Sequence, residues 1–260
     1  MSARRTDGSS GRKLLRVLLA FDTGRPTWTV SELSAHVGIP LSSAYRYITL
    51  LREEGLVEPA PGGDHLYRLG PRANAVGRAA VDTDTSLVNA ARPHLQALRD
   101  TSDESAILMR RAGDAATVCI DRAESRHPVR LQVELGQTMP MHVGSAGRVL
   151  LAALPDDRRA SYLADVLPTL TDERMIEALS DEALARVSEN GWTESFDEFD
   201  EGVWGCAAAI SDDNGVVAAI GTAGPVYRFD EPARWGAIAA VRAAADAASL
   251  ALRTPADEKV

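Results

Sequence analysis

The segment from Thr29 to Leu56 constrains this chain most, because it has the pattern of two short amphipathic helices separated by a tight turn. Thr29 and Glu32 have the spacing of a capping box, in which the hydroxyl caps a helix and the carboxylate reaches back to the cap. Gly38 and Pro40 then end this helix, because glycine readily adopts positive φ and proline cannot continue an α-helix. The segment therefore predicts a helix, a turn and a second helix.

The second predicted helix begins at Leu41 and has one apolar and one polar face. Its apolar stripe recurs at helical spacing and consists of Leu41, Ala44, Tyr45, Ile48 and Leu51. The side chains predicted to face outward are Ser42, Ser43, Arg46, Tyr47 and Thr49. Short hydroxyls permit close approach to a duplex, and an arginine can bind a guanine edge or a phosphate. This face is typical of DNA recognition, although the periodicity alone also fits any small helical domain.

Two short strands are predicted after the helix pair. Leu56–Val57 and His65–Leu69 alternate as strands do, and Pro59–Asp64 between them has the composition of a turn. A hairpin here completes a winged helix-turn-helix, which we predict for residues 1–72. The candidate DNA-binding residues are Ser42, Ser43, Tyr45, Arg46, Tyr47, Arg12 and Arg68.

The charge of the chain is divided unevenly. Residues 1–80 contain 11 Lys+Arg and 7 Asp+Glu, a net charge of +4. Since the whole chain has a net charge of −9, the remaining residues carry −13. A basic module ahead of an acidic body fits binding to DNA through the module alone. Arg4, Arg5, Arg12, Lys13 and Arg16 add a basic arm and first helix, and the alternative interpretation of Met1–Gly11 is a solvated tail.

The length suits a small module followed by one larger domain. Apolar runs such as Val216–Ile220 are far shorter than the ~20 residues that span a bilayer, and no signal-type apolar core follows Met1. A cytoplasmic protein without a membrane partner is predicted. Cys119 and Cys206 lack any CxxC spacing, so they are expected to be buried residues rather than disulfide, zinc or redox groups. No cofactor or metal is predicted.

The rest of the chain predicts an α+β body with a largely antiparallel sheet. Residues 73–86 are predicted as a linker helix, with Leu87, Ala91, Leu95 and Leu98 continuing at helical spacing. The predicted strands are Ser105–Met109, Thr117–Asp121, Val129–Val133, Val203–Ile210 and Val216–Thr222. A helix is predicted over Ser145–Ala153, and Asp212–Gly215 is predicted as a hairpin turn.

Four stretches together resemble the IclR regulators, a family named after the isocitrate lyase repressor. They are residues 31–55, 118–151, 190–210 and 214–225. The resemblance implies a winged helix-turn-helix that binds double-stranded operator DNA as a dimer or tetramer. It also implies a C-terminal GAF-like α/β domain, here residues 87–260, that binds a small-molecule effector and performs no catalysis. A ligand-induced population shift that changes operator affinity is the expected mechanism.

The resemblance places the effector pocket beside the sheet, where the segment 142–148 opens a helix. Free N–H groups and the positive end of the helix dipole favour a carboxylate there. The alternative is that Gly144 and Gly147 only permit a tight turn and close packing. The candidate effector-binding residues are Met141, Val143, Gly144, Ser145, Ala146, Ser195, Trp204, Gly205, Cys206, Gly221 and Ala223.

Departures from the family pattern indicate the kind of ligand. Ser195 stands where members that bind small polar acids tend to have an acidic residue, and Gly205 stands where they have cysteine, with Cys206 shifted by one. Gly221 and Ala223 replace paired serines. Strand alternation places Val203, Gly205 and Ala207 on one face and Ala219, Gly221 and Ala223 on one face. A small, apolar wall suits an aromatic or otherwise apolar organic acid, with its carboxylate at the N–H groups of Ser145 and Ala146.

Some residues admit other interpretations, and two other functions fit the sequence. Leu41 departs from the basic or polar residue that often begins the recognition helix, and it can contact a thymine methyl or close the turn. Asp197, Glu198, Asp200 and Glu201 form an acidic cluster, which we interpret as a solvated face. Two rival functions are a GAF-fold enzyme with Cys119 or Cys206 as nucleophile and His127 or His142 as base, and a nucleotide sensor.

Overall fold

A computed structural model describes residues 10–21, 25–62 and 65–253, the side chains of residues 78–84 excepted. The chain divides into two compact units, with the boundary between Thr83 and Asp84. The basic arm at Arg4 and Arg5 lies outside the described residues, as do Gly63 and Asp64 of the predicted turn.

The N-terminal unit is a winged helix-turn-helix, as predicted. Its elements are α1 (Ser10–Leu19), β1 (Thr27–Thr29), α2 (Val30–Val37), α3 (Leu41–Glu53), β2 (Val57–Pro59) and β3 (Leu66–Leu69). The three strands form one antiparallel sheet in the order β1-β3-β2. The strand β1 was not predicted; its three residues immediately precede α2 and pair with the wing strand β3.

Local signals position α2 and α3. The Thr29 hydroxyl accepts a hydrogen bond from Glu32 N at 3.3 Å, and Glu32 Oε2 accepts one from Thr29 N at 2.9 Å, which confirms the capping box. Gly38 ends α2 in the left-handed conformation with φ of 69°, and its N–H donates to Ser34 O. Because Leu33 and Ile48 then meet in one apolar core, the turn is fixed by both its ends and its packing.

A single long helix, α4 (Pro71–Ser102), follows the wing. The predicted linker helix of residues 73–86 is therefore only its first part, and the boundary between the two units falls within it. Pro93 lies inside α4 without ending it. Ala91, Leu95 and Leu98 are buried in the core of the C-terminal unit, which explains why the apolar spacing continues beyond residue 86.

The C-terminal unit is built on a six-stranded antiparallel sheet with the order β6-β5-β4-β9-β8-β7. Its strands are β4 (Ser105–Ala112), β5 (Ala116–Ala123), β6 (Thr138–Pro140), β7 (Trp192–Phe196), β8 (Val203–Asp212) and β9 (Gly215–Pro225). Its further helices are α5 (Gly144–Ala152), α6 (Asp156–Val166), α7 (Glu173–Ala178), α8 (Asp181–Asn190) and α9 (Glu231–Arg253), with 3-10 turns at Leu167–Thr169 and Val226–Arg228.

The two faces of this sheet carry separate apolar cores. One core joins the sheet to α4 and α9 and includes Trp204 and Ile220. The other joins the sheet to α5, α6 and α8 and includes Leu150, Ala207 and Ala219. Strand alternation therefore separates Trp204 from Ala207, as a period of two requires.

Among the described residues, α9 is the one helix whose length and composition alone would permit a membrane span. This helix was not predicted, because its apolar residues are interrupted by polar ones and form no long apolar run. One face of α9 packs on the sheet, with Ile238, Val241 and Ala248 buried in the core. The same length and composition are found in helices that cover a sheet, and the observed packing accounts for them here.

The predicted strand at Val129–Val133 is wrong, since none of these five residues, all within the described chain, lies in a strand. On the side away from β4, the strand that pairs with β5 is β6, where Thr117 pairs with Met139. Side chains bind the carbonyl groups of the irregular segment: Ser105 Oγ donates to Leu131 O at 3.0 Å, and Arg122 donates to Val133 O. These bonds satisfy the backbone without a ladder.

Candidate functional site

The recognition helix α3 buries a different stripe from the one predicted. Ala44, Tyr47, Ile48 and Leu51 are buried, whereas Leu41 and Tyr45 are each 46% exposed. Both stripes have helical spacing, so the sequence pattern did not distinguish them. The outward position predicted for Tyr47 is therefore wrong, and the inward position predicted for Leu41 and Tyr45 is wrong as well.

A polar contact explains how a tyrosine is buried at position 47. Its hydroxyl lies 3.1 Å from Ser10 Oγ on α1, so the phenol has a hydrogen-bond partner inside the unit. The exposed Arg46 lies against the same ring, with its guanidinium carbon 5.2 Å from the ring centroid. Tyr47 thus packs against Arg46 from the core side and does not itself face outward.

The other candidate DNA-binding residues fall on three elements. Ser42 is exposed on α3 and Ser43 is half-buried. Arg12 is exposed on α1. Arg68 lies on the wing strand β3, where its guanidinium pairs with Glu58 at 2.7 Å. The exposed face of α3 therefore includes hydroxyls, Arg46 and the large apolar side chains of Leu41 and Tyr45.

A narrow cavity lies between the sheet and the start of α5 in the C-terminal unit. It contains about 500 Å³ of atom-free space, part of it open to solvent, and the centre of a water molecule can occupy about 40 Å³. Nine predicted effector-binding residues border it: Val143, Gly144, Ser145, Ala146, Ser195, Gly205, Cys206, Gly221 and Ala223. It is also lined by Ile107, Leu131, Val133, Met139, Phe199, Val203, Ala207 and Thr222.

Three of the lining residues that were not candidates come from segments whose structure the sequence did not reveal. Leu131 and Val133 belong to the irregular segment that was predicted as a strand, and Met139 belongs to the short strand β6, which was not predicted. Val203 and Ala207 lie on the face of β8 that strand alternation had already placed with Gly205. That alternation was the one available signal for them.

Two predicted effector-binding residues lie away from this cavity. Met141 is fully buried before α5, and its N–H donates to Ala115 O at 3.3 Å. Trp204 faces the opposite side of the sheet, where its ring centroid is 4.2 Å from that of Phe229. Its indole N–H donates to Glu194 Oε2 at 2.8 Å. Both residues therefore belong to the supporting structure.

The glycines around the cavity serve different structural purposes. A Cβ at Gly147 would lie 2.5 Å from Met141 O, and one at Gly221 would lie 2.5 Å from Cys206 O. Close backbone approach therefore requires these two glycines. A Cβ at Gly205 would instead meet the far ends of side chains, with Ser195 Oγ at 3.2 Å and Ala223 Cβ at 3.3 Å. Gly205 is thus the glycine that leaves space at the cavity wall.

The polar groups of the cavity gather at the start of α5. Ser145 N donates to Ser195 Oγ at 3.2 Å, and Gly144 N donates to Glu198 Oε2 at 3.0 Å. The N–H of Ser145, which was considered for a ligand carboxylate, and that of the neighbouring Gly144 therefore already bind acceptors of the chain itself. Ser145 and Ser195 are both buried, with exposures of 6% and 9%.

Glu198 is held inside the C-terminal unit, so its assignment to a solvated acidic face is wrong. Its carboxylate pairs with Arg148 on α5, and the two side chains are 11% and 4% exposed. Arg148 also donates to the carbonyl of Glu194 on β7. This pair ties the first turns of α5 to β7 and to the segment before β8.

The groups considered for catalysis are in environments that oppose it. Burial raises the pKa of Cys119 to about 11 and also raises the pKa of Cys206, so both thiols stay protonated at neutral pH. Burial lowers the pKa of His142, against a smaller opposing effect of Glu198. Its Nδ1 lies 2.8 Å from the hydroxyl of Tyr162, which identifies His142 as a packed, hydrogen-bonded residue.

Comparison with known families decides the identity of this architecture. Residues 12–61 match the IclR helix-turn-helix domain, and residues 79–250 match the bacterial transcriptional regulator IclR C-terminal domain. The chain belongs to the IclR family. This family consists of bacterial transcriptional regulators rather than enzymes, so the nucleophilic role considered for the cysteines does not apply.

Individual IclR proteins resemble this chain over most of its length. The transcriptional regulator TtgV of Pseudomonas putida is 33% identical over 76% of this chain and 73% of its own length. An IclR transcriptional regulator from a Silicibacter species superposes with a TM-score of 0.78 at 25% identity, covering 95% of this chain and 98% of that one.

A third IclR protein contains a ligand. It is a homologue from Microbacterium hydrocarbonoxydans complexed with 4-hydroxybenzoate, with a TM-score of 0.72 and 24% identity, and the match covers 94% of this chain and 99% of that one. At this identity the likeness establishes the fold alone. Together with the two domain matches, it confirms the winged helix-turn-helix and the antiparallel C-terminal unit predicted from the sequence.

Proposed function

We propose that this IclR protein changes its affinity for operator DNA when an aromatic or other small organic acid binds in the cavity beside α5. In this proposal residues 1–72 bind double-stranded DNA, residues 73–86 link the parts, and residues 87–260 bind the effector and a second copy of the chain. The protein acts in the bacterial cytoplasm as a dimer or tetramer. A dimer with two recognition helices favours a palindromic operator.

The small, apolar wall of the cavity carries this proposal. Gly205, Ala207 and Ala223 leave space along two strands, and Ile107 and Phe199 offer apolar surface. The side-chain hydroxyls at the wall are few, and Ser145 and Ser195 lie together at one end. A flat ring with one polar end matches this distribution better than a compact acid that needs donors on every side.

The DNA-binding part of the proposal depends on the exposed face of α3. Ser42 and Arg46 are exposed there, and Tyr47 fixes Arg46 from behind. An arginine at this position can contact a guanine edge or a phosphate. Leu41 and Tyr45 add apolar surface suited to thymine methyl groups.

The test is a fluorescence-anisotropy titration of the intact protein on labelled DNA from its own upstream intergenic region. The titration is repeated with benzoate, 4-hydroxybenzoate, glyoxylate and pyruvate, and at several salt concentrations. We expect salt-sensitive binding whose affinity changes with the aromatic acids and not with the compact ones. Arg46→Ala serves as the control for specific contact, because it removes an exposed side chain and leaves the buried Tyr47 in place.

Two results would contradict the proposal. A response only to glyoxylate or pyruvate would exclude the aromatic ligand class while leaving the regulator intact. Calorimetric binding of an aromatic acid with no change in operator affinity would separate the cavity from DNA binding.

A further inference from the structure

The carboxylate of Glu198 accepts one of the backbone N–H groups at the start of α5, which is the end of the cavity proposed for an anionic ligand. Its Oε2 accepts the N–H of Gly144, a residue that borders the cavity, at 3.0 Å. Its Oε1 pairs with Arg148, whose side chain is 4% exposed. The chain thus supplies its own anion to the positive end of α5.

Both terminal nitrogens of the Arg148 guanidinium are already engaged in this arrangement. One terminal nitrogen of its guanidinium pairs with Glu198, and the other donates to the carbonyl of Glu194. The buried pair is electrically neutral, so a ligand carboxylate at the Gly144 N–H would place two negative charges beside the single positive charge of Arg148. Like charges at such a distance in a low-dielectric setting strongly oppose binding.

We infer that Glu198 determines the charge preference of the effector cavity. A ligand carboxylate binds at the Gly144 N–H only by displacing Glu198, whereas a neutral ligand of the same shape binds without this exchange. The inference rests on the proposed function, because it concerns the same cavity, and it adds a specific competitor within the chain.

Displacement of Glu198 also changes the width of the cavity. The next residue, Phe199, lines the cavity directly. Both belong to a tight turn in which Gly202 N donates to Asp197 Oδ1 at 2.7 Å and Asp197 N donates to Val203 O at 2.9 Å. Displacing Glu198 therefore acts on this turn, and hydrogen exchange of its backbone N–H groups reports the displacement.

The experiment compares one acid with its neutral analogue on three proteins. Isothermal titration calorimetry measures 4-hydroxybenzoate and 4-hydroxybenzamide binding to the intact wild type, to Glu198→Gln and to Glu201→Gln. Glu201 is exposed in the same segment, so its substitution makes the same change in net charge without touching Gly144 or Arg148.

We expect Glu198→Gln to bind 4-hydroxybenzoate at least about tenfold more tightly than the wild type, because a competing charge-assisted hydrogen bond is removed. The amide should bind both proteins within about twofold, since it carries no negative charge for the Glu198 carboxylate to repel. Glu201→Gln should resemble the wild type for both ligands. Equal tightening of acid and amide, or an unchanged acid affinity, would overturn the inference while the proposed function stands.

A measurement on the wild type covers the case in which Glu198→Gln does not fold. Hydrogen exchange of the segment 197–203 should accelerate when 4-hydroxybenzoate binds and stay unchanged with the amide. Identical exchange with both ligands would refute displacement of Glu198. If neither wild type nor variant binds the acid, the proposed ligand class fails, and this inference fails with it.

Discussion

Replacing Arg148 by methionine is expected to lower the unfolding free energy of the C-terminal unit by about 3 kcal/mol. The change leaves the carboxylate of Glu198, which is 11% exposed, without its cation, and it removes the donor to Glu194 O. Removing one partner of a buried pair costs roughly 3–5 kcal/mol in general. The lower end applies here because Glu198 keeps the Gly144 N–H and some access to solvent.

The double variant separates the pair from the packing. Arg148→Met with Glu198→Gln is expected to recover about 2 kcal/mol relative to Arg148→Met alone, since no unpaired charge then stays buried. Arg158→Met is the matched control, because Arg158 pairs with Asp114 at 3.0 Å while the two side chains are 58% and 68% exposed. A surface pair of this kind contributes about 0–1 kcal/mol.

Urea unfolding followed by tryptophan fluorescence measures these differences. Three of the four tryptophans, Trp192, Trp204 and Trp235, lie in the C-terminal unit, so the signal reports mainly on that unit. The reasoning is refuted if Arg148→Met costs no more than Arg158→Met. It is also refuted if the effects of Arg148→Met and Glu198→Gln simply add, because additive effects would mean that the two side chains do not interact.

Three further predictions concern the recognition helix α3, the cavity wall and the buried residue Glu104. Tyr45→Ala should weaken operator binding in anisotropy titrations with an unchanged unfolding curve, whereas Tyr47→Ala should cost about 3 kcal/mol of stability through lost packing. Gly205→Val should weaken binding of an aromatic acid in calorimetry, while Gly221→Ala should destabilise by about 1–3 kcal/mol because its Cβ meets a backbone oxygen at 2.5 Å. Burial raises the pKa of Glu104 above its ordinary value of 4.5, so its contribution to stability is full below that pH and is lost as the pH rises through the raised pKa. Urea unfolding across pH should therefore show the wild type losing stability relative to Glu104→Gln above pH 4.5.

The elements that the sequence predicted correctly are those whose signals lie within a few residues. The capping box of Thr29 and Glu32 needs only adjacent turns of one helix. The Asp213-Asn214 turn between β8 and β9 likewise follows from local composition. Short-range hydrogen bonding decides both features, so neither depended on knowing the rest of the fold.

The local sequence pattern was not sufficient to predict which face of α3 is buried. Tyr45 and Tyr47 are two residues apart, and either one completes an acceptable helical stripe with Ala44 and Ile48. The hydroxyl of Ser10, 37 residues away, makes the inward position favourable for Tyr47. A contact of that range has no trace in the spacing of apolar residues.

The cavity combines both situations. Its wall could be predicted because a period of two places Gly205 beside Val203 and Ala207 on any strand. Glu198 could not be predicted, because an acidic cluster is solvated or buried according to whether a cation faces it. Arg148 is separated from Glu198 by 50 residues of sequence that include the helices α6, α7 and α8, and only the fold brings the two side chains together. The charge preference of an effector cavity can therefore depend on a residue that its own neighbours in the sequence mark as surface.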